Sequence, residues 1–144
     1  MTYLPDVNVW IALAADKHIH HPLARSWFAG LREEKLWFCR LTQLGFLRLL
    51  TNKQVMQDEV VSPEGAWQAY NSMRADRRIG YLAEPSGLTE TWDMPAAGRL
   101  GSSNVWTDAY LCAFAQAAGL TLVTFDRRIH AAGGLDCLVL DANL

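Results

Sequence analysis

Charge of one sign is what this chain of 144 residues has least of: 13 Lys and Arg against 15 Asp and Glu leave a formal net charge of −2. No global field draws it to nucleic acid, so any such contact must come from a local basic surface. Cysteine is scarce as well. Cys39, Cys112 and Cys137 are odd in number, lack metal-ligand spacing and lie in apolar surroundings. They read as reduced core residues and exclude a disulfide framework. No window approaches the roughly 20 apolar residues of a membrane span, and no basic segment followed by a long apolar stretch opens the chain. No membrane association is expected, and the expected location is the cytoplasm. Repeats, low-complexity linkers and long charge runs are all missing. Residues 1–144 are therefore expected to form a single domain.

What is present is a packed-core composition, 51 % hydrophobic with six Trp and five Phe, and a regular alternation of short apolar runs with helical patterns. A strand beginning at Tyr3 ends at Pro5-Asp6, and 7–15 follow as a helix with Val7, Ile11 and Ala14 on one stripe. Pro22 suits the first turn of a second helix, running to about Glu34. A strand over 36–39 precedes Thr42, read as the N-cap of a helix over 43–50. Ser62-Pro63 opens a helix to about Arg77, and a strand follows over 79–82. A short helix over 89–94 and a loop over 98–103 lead to the clearest helix, 104–118, closed by Gly119. Strands over 120–124 and 138–140 complete the chain. Strands separated by helices, with hardly any hairpin chemistry, predict an α/β fold with a mostly parallel central sheet covered on both faces.

Three aspartates stand where such runs meet helices: Asp6, Asp108 and Asp126. Each alone has an ordinary explanation, since Asp6 and Asp126 can cap the helices after them and Asp108 can complement a helix dipole. In an open parallel sheet, however, ligands bind outside the carboxyl ends of the strands, and Asp6 and Asp126 both fall there. Carboxylates brought together raise one another's pKa unless a cation compensates. Oxygen-only donors favour Mg²⁺ or Mn²⁺, and such a centre suits phosphodiester hydrolysis. A phosphoacceptor domain also clusters Asp on a parallel sheet, but no adjacent acidic pair follows the first strand and no well-placed Lys follows a late one.

The segments Asp6-Val7-Asn8-Val9, Thr107-Asp108-Ala109-Tyr110-Leu111 and Thr124-Phe125-Asp126, in that order, resemble the PIN domain. The histidine loop before Pro22 and the segment from Leu41 to Asn52 are similar to its VapC-type toxin branch, and the resemblance covers essentially the whole chain. It implies a three-layer α/β/α fold, a Mg²⁺-dependent endoribonuclease, a homodimer, and silencing by a cognate VapB-type antitoxin. The family commonly carries a Glu in the helix after the second strand. The matching position here is Gln43, which can ligate or hold a water but brings no negative charge. The resemblance thus implies three carboxylates and one modestly bound metal. The alternative is a catalytically weak or inactive PIN-like module that binds RNA or protein.

Around the acids, Asn8, Thr107 and Thr124 are expected to orient the site, although local backbone bonding explains them equally well. Arg40, Arg48, Arg99 and Arg127, with Arg128 beside it directly after Asp126, are expected to hold RNA phosphates, with affinity that falls with salt. His18, His20 and His21 lack companion cysteines, so a zinc site is disfavoured against solvent exposure or a phosphate contact.

Overall fold

A computed structural model describes residues 1–92, 105–130 and 135–141, His130 by its backbone alone. Five strands form one all-parallel sheet: β1 (Thr2–Pro5), β2 (Lys35–Phe38), β3 (Ile79–Tyr81), β4 (Thr121–Thr124) and β5 (Cys137–Val139), ordered β3-β2-β1-β4-β5. The chain steps outward from β1 to β3, then returns across β1 to lay down β4. The order therefore reverses between β1 and β4, and in open α/β sheets ligands bind at that crevice.

Helices α1 (Val7–Ala14), α2 (His21–Ala29), α3 (Arg40–Leu50), α4 (Lys53–Met56) and α5 (Pro63–Arg74) come before β3, and α6 (Leu88–Thr91), α7 (Val105–Ala118) and α8 (Arg127–His130) after it. Alternation along the strands divides the core into two layers. Tyr3, Leu36, Phe38 and Val123 pack with Trp10, Phe28, Phe46 and Tyr70 of α1, α2, α3 and α5. Leu4 and Leu122 pack on the other face with Leu111 and Phe114 of α7. A strand's side chains point alternately to opposite faces, and here both faces are covered, which gives the expected three-layer α/β/α arrangement.

Pro5, a weak point in the strand pattern, closes the central strand β1 without harm, because Asp6 N–H supplies the next ladder bond to Val123 O at 2.9 Å. The second helix stops at Ala29 and not near Glu34. Leu31 turns inward as a core residue, and the Glu34 carboxylate accepts from Arg32 N at 2.6 Å, which closes a turn in place of a last helical turn. Thr42 is not the cap of α3. Cys39 holds the N-cap position, and Thr42 Oγ1, one turn on, accepts from Cys39 N at 2.9 Å as the reciprocal half of a capping box. The helix opened by Ser62-Pro63 ends at Arg74, short of Arg77. Gly119, at φ 68°, is the left-handed terminator expected after α7. The expected start of that helix at Asn104, the end of the short helix near Met94, and the loop over 98–103 lie outside the described residues, as does Arg99. Helix α4, capped by Asn52, and the 3₁₀ turn Gln57–Glu59 were not marked by any periodicity.

Gly45 of α3 lets α1 approach closely: a Cβ there would lie 2.6 Å from Val7 Cγ2. Val7 is β-branched and stiff, and it directly follows Asp6. Gly45→Ala gains helix propensity, about 1 kcal/mol, but overpacking costs about 1–3 kcal/mol. A net loss of about 1 kcal/mol is expected in urea unfolding, and a more stable variant would mean that α1 can retreat freely.

Candidate metal centre

Asp6 reaches the site because β1 ends and α1 begins on it. Its backbone is extended (φ −73°, ψ 173°), and Oδ1 accepts from Val9 N at 3.0 Å as the N-cap. The ordinary capping role and a place in the cleft thus coexist in one side chain. Oδ2 accepts from the buried Thr124 hydroxyl at 2.5 Å, and that same Oγ1 accepts from Asp126 N at 3.1 Å. One hydroxyl at the end of β4 thereby sets the positions of two acids. Asp6 is only 8 % exposed. Burial pushes its carboxyl up to about 6, with the neighbouring Asp108 charge adding to the rise and the hydrogen bonds from Thr124 and Val9 opposing it.

Thr124→Val keeps the volume but deletes the donor to Asp6 and the acceptor for Asp126 N. A loss of about 1–3 kcal/mol is expected in urea unfolding, with a further rise of the Asp6 pKa. NMR titration of the Asp6 carboxyl checks this, and an unmoved or lower value would mean that the hydroxyl does not stabilise the carboxylate.

A cleft of about 190 Å³ opens at the switch between β1 and β4, lined by Asp6, Asn8, Asp108, Thr124, Phe125, Asp126, Arg128 and Ile129. Asp108 enters it from the first turn of α7. Sequence positions 6, 108 and 126 therefore meet on one cleft. Asn8 and Thr124 line the same cleft.

The other expected site residues stand elsewhere. The buried Gln43 does not line the cleft; its amide oxygen accepts from Arg40 Nη1 at 2.5 Å, three residues back on α3. The Arg40 guanidinium in turn lies 4.8 Å from the centroid of the Tyr81 ring. Thr107 is exposed on α7, outside the cleft lining. Arg48 is exposed in the last turn of α3, where it complements the dipole. Arg127 points away to Asp141, with a nitrogen-to-oxygen distance of 3.4 Å.

Among the described residues the basic one that lines the cleft is Arg128. Asp126 Oδ1 accepts from Arg128 N at 2.9 Å, a turn that folds residue i+2 back over the acid, and the guanidinium grips both carboxylate oxygens at 3.1 and 2.9 Å. The sequence offered Arg127 and Arg128 together; the choice between them follows because a capping aspartate bonds the backbone two residues on and not the next residue. Phe125 was missed. Its ring stacks on His20, centroids 4.5 Å apart, tying the α1–α2 loop to the rim of the cleft. The other histidines are occupied structurally: His18 Nδ1 accepts from His20 N at 3.0 Å, and His21 Nδ1 lies 2.7 Å from Ala12 O.

The donors suit a hard divalent cation. They are oxygen-only among the polar cleft residues apart from Arg128, and Asp6 is a buried acid whose ionised form is only partly compensated by its hydrogen bonds from Thr124 and Val9. No three His, Cys, Asp or Glu stand in closed ligating positions among the described residues. Oxygen donors of this kind suit Mg²⁺ or Mn²⁺, which need only one or two carboxylates beside waters, better than zinc.

The family model for the PIN domain matches residues 3–135. Ribonuclease VapC41 of Mycobacterium tuberculosis is 39 % identical over 142 residues, covering 95 % of this chain and 97 % of that relative. Ribonuclease VapC38 of the same organism is 37 % identical over 126 residues, covering 85 % and 84 %. Among solved structures, Mycobacterium tuberculosis VapC20, described as a sarcin-ricin loop cleaving toxin, superposes with a TM-score of 0.67 at 18 % identity, covering 93 % of this chain and 97 % of that one. VapBC2 from Rickettsia felis, bound to a DNA fragment from its promoter, does so with a TM-score of 0.65 at 12 % identity, covering 98 % and 100 %.

Proposed function

This chain belongs to the PIN-domain family, and on that footing we propose that it is a divalent-metal-dependent endoribonuclease, the toxin of a toxin–antitoxin pair. The observation that carries this reading is the meeting of Asp6, Asp108 and Asp126 on one cleft at the reversal of strand order. Relatives that span nearly its whole length are ribonucleases by name, and they supply the reaction class. A bound Mg²⁺ or Mn²⁺ supplies a water of lowered pKa and neutralises charge growing on the phosphoryl oxygens.

The residues of the chain do the rest. Thr124 and the Val9 amide hold Asp6 with both oxygens oriented, so no reorganisation is needed when charge develops. Asn8, exposed at the cleft, can donate to a phosphate oxygen. Gln43 contributes no charge, which leaves three carboxylates for one ion. Arg40, Arg48 and Arg127 are exposed around these elements and belong to the proposal as outlying phosphate contacts.

A VapB-type antitoxin is the proposed partner, supported by neighbours whose structures are VapBC pairs. A homodimer is proposed on the exposed Leu44 and Trp67, each 50 % accessible, on the contacting helices α3 and α5. Light scattering of the purified chain tests it. No helix among the described residues is long and apolar enough to cross a membrane, and a cytoplasmic site of action is part of the proposal.

The deciding experiment incubates purified protein with structured RNA, in Mg²⁺ or Mn²⁺ and in EDTA, alongside Asp108→Asn. Cleavage is expected only for the wild type with metal. Equal cutting in EDTA, or by the variant, would remove the metal mechanism.

A further inference from the structure

Resting on that reading of the cleft, we propose that Arg128 is a displaceable counter-cation: it neutralises Asp126 in the metal-free protein, yields that carboxylate to a divalent ion, and then pairs with a non-bridging oxygen of an RNA phosphate. Three observations carry it. The guanidinium forks both oxygens of Asp126, the geometry that also matches phosphate. Its side chain is 66 % exposed, and an ion pair with so exposed a partner is worth on the order of 1 kcal/mol, which a doubly charged ion can outcompete. Arg128 itself lines the cleft that Asp6 and Asp108 share, so a released guanidinium is already beside the reacting phosphate while α8 stays in place.

Charge balance points the same way. Among the described residues that line the cleft, three are carboxylates and one is a guanidinium, so the lining is acidic and suits a cation. With that ion bound to Asp126, the guanidinium loses its partner there, and an RNA phosphate is the anion the reaction brings. Metal and substrate are thereby linked: the ion frees the arginine that helps hold the RNA. Arg127, whose guanidinium faces Asp141, cannot take this part.

The linkage has an unusual sign. Removing Arg128 is expected to tighten metal binding and weaken RNA binding, whereas a residue that merely props Asp126 would weaken metal binding when removed.

The test titrates Mn²⁺ by calorimetry or electron paramagnetic resonance into wild type, Arg128→Ala, Arg128→Lys and Asp126→Asn. It also measures RNA binding against salt by fluorescence anisotropy in an Asp108→Asn background at saturating Mn²⁺. Arg128→Ala is expected to bind Mn²⁺ up to about fivefold more tightly. Its RNA affinity is expected to fall roughly tenfold, with a salt slope shallower by about 0.7 to 1. Arg128→Lys keeps the point charge and is expected to recover the slope. Unchanged or weaker Mn²⁺ binding by Arg128→Ala, or a full salt slope, overturns the proposal. If wild type binds Mn²⁺ no better than Asp126→Asn and does not cut RNA, the metal reading falls and takes this proposal with it. If wild type binds and cuts while Arg128→Ala behaves like it, only the role of Arg128 falls.

Discussion

Asp6→Asn is expected to slow RNA cleavage by about 10²- to 10³-fold and, at the same time, to make the metal-free protein more stable at pH 7.5. The amide keeps the cap to Val9 N but carries no charge. Burial, with the Asp108 charge adding to it, lifts the folded-state pKa of Asp6 to about 6 from 3.8. Below pH 3.8 both folded and unfolded chains carry the proton, and the residue costs nothing. Between 3.8 and about 6 the unfolded chain ionises while the folded one does not, so stability declines across that window and stays lower above it. The difference corresponds to roughly 3 kcal/mol, part of which is offset because the Thr124 hydroxyl loses its charged acceptor.

Melting curves at pH 4 and pH 7.5 check this. The variant should gain on wild type by several degrees at the higher pH and hardly at all at the lower. A variant less stable than wild type at pH 7.5 would mean that Asp6 is not held ionised at a cost. Added Mn²⁺ should raise the melting temperature of wild type and not of the variant, because ligand stabilises only the fold that binds it. For the same reason metal affinity should decline as pH falls through about 6, where Asp6 takes up its proton.

Trp10→Ala is expected to cost about 3–5 kcal/mol, a large share of the 5–15 kcal/mol that holds a typical domain. Trp10 is fully buried and lies flat on Phe38, centroids 3.8 Å apart at 11°. Phe38 in turn meets the edges of Phe46 and Tyr70, so this stack joins α1, β2, α3 and α5. Among the described residues the buried Trp10 indole N–H finds no hydrogen-bond partner. Such an orphan donor costs about 1–3 kcal/mol. Both variants remove the orphan, but Trp10→Phe keeps a ring on Phe38, so it should lose far less than Trp10→Ala in urea unfolding. Equal losses would mean that the stack on Phe38 contributes nothing. Trp10 N donates to the backbone oxygen of Asp6 at 3.2 Å, a main-chain bond that the alanine variant keeps.

Local pattern carried most of the fold. Apolar runs of strand length, the Ser62-Pro63 start and Gly119 as terminator are decided within a few residues, and all were legible in the sequence. The boundaries that moved were those set by distant contacts: α2 ends early where Leu31 turns into the core, and α3 begins at Arg40 because Thr42 caps from inside the first turn. In the site, Asp6 and Asp126 were visible because strand ends in a parallel sheet share an edge. Asp108 needed the position of α7, and Gln43, matched by its place along α3 to a position that commonly carries Glu, faces Arg40 and does not line the cleft.

The sequence by itself determined the alternation of strands and helices, the caps and the three acids, since each depends on neighbours along the chain. Only the tertiary structure decided what those acids experience. Pairing β1 with β4 placed Thr124 against Asp6 and buried it, which raised its pKa, and the turn after β4 selected Arg128 over Arg127. Burial and counter-charge are properties of what lies across space, and no spacing along the chain encodes them.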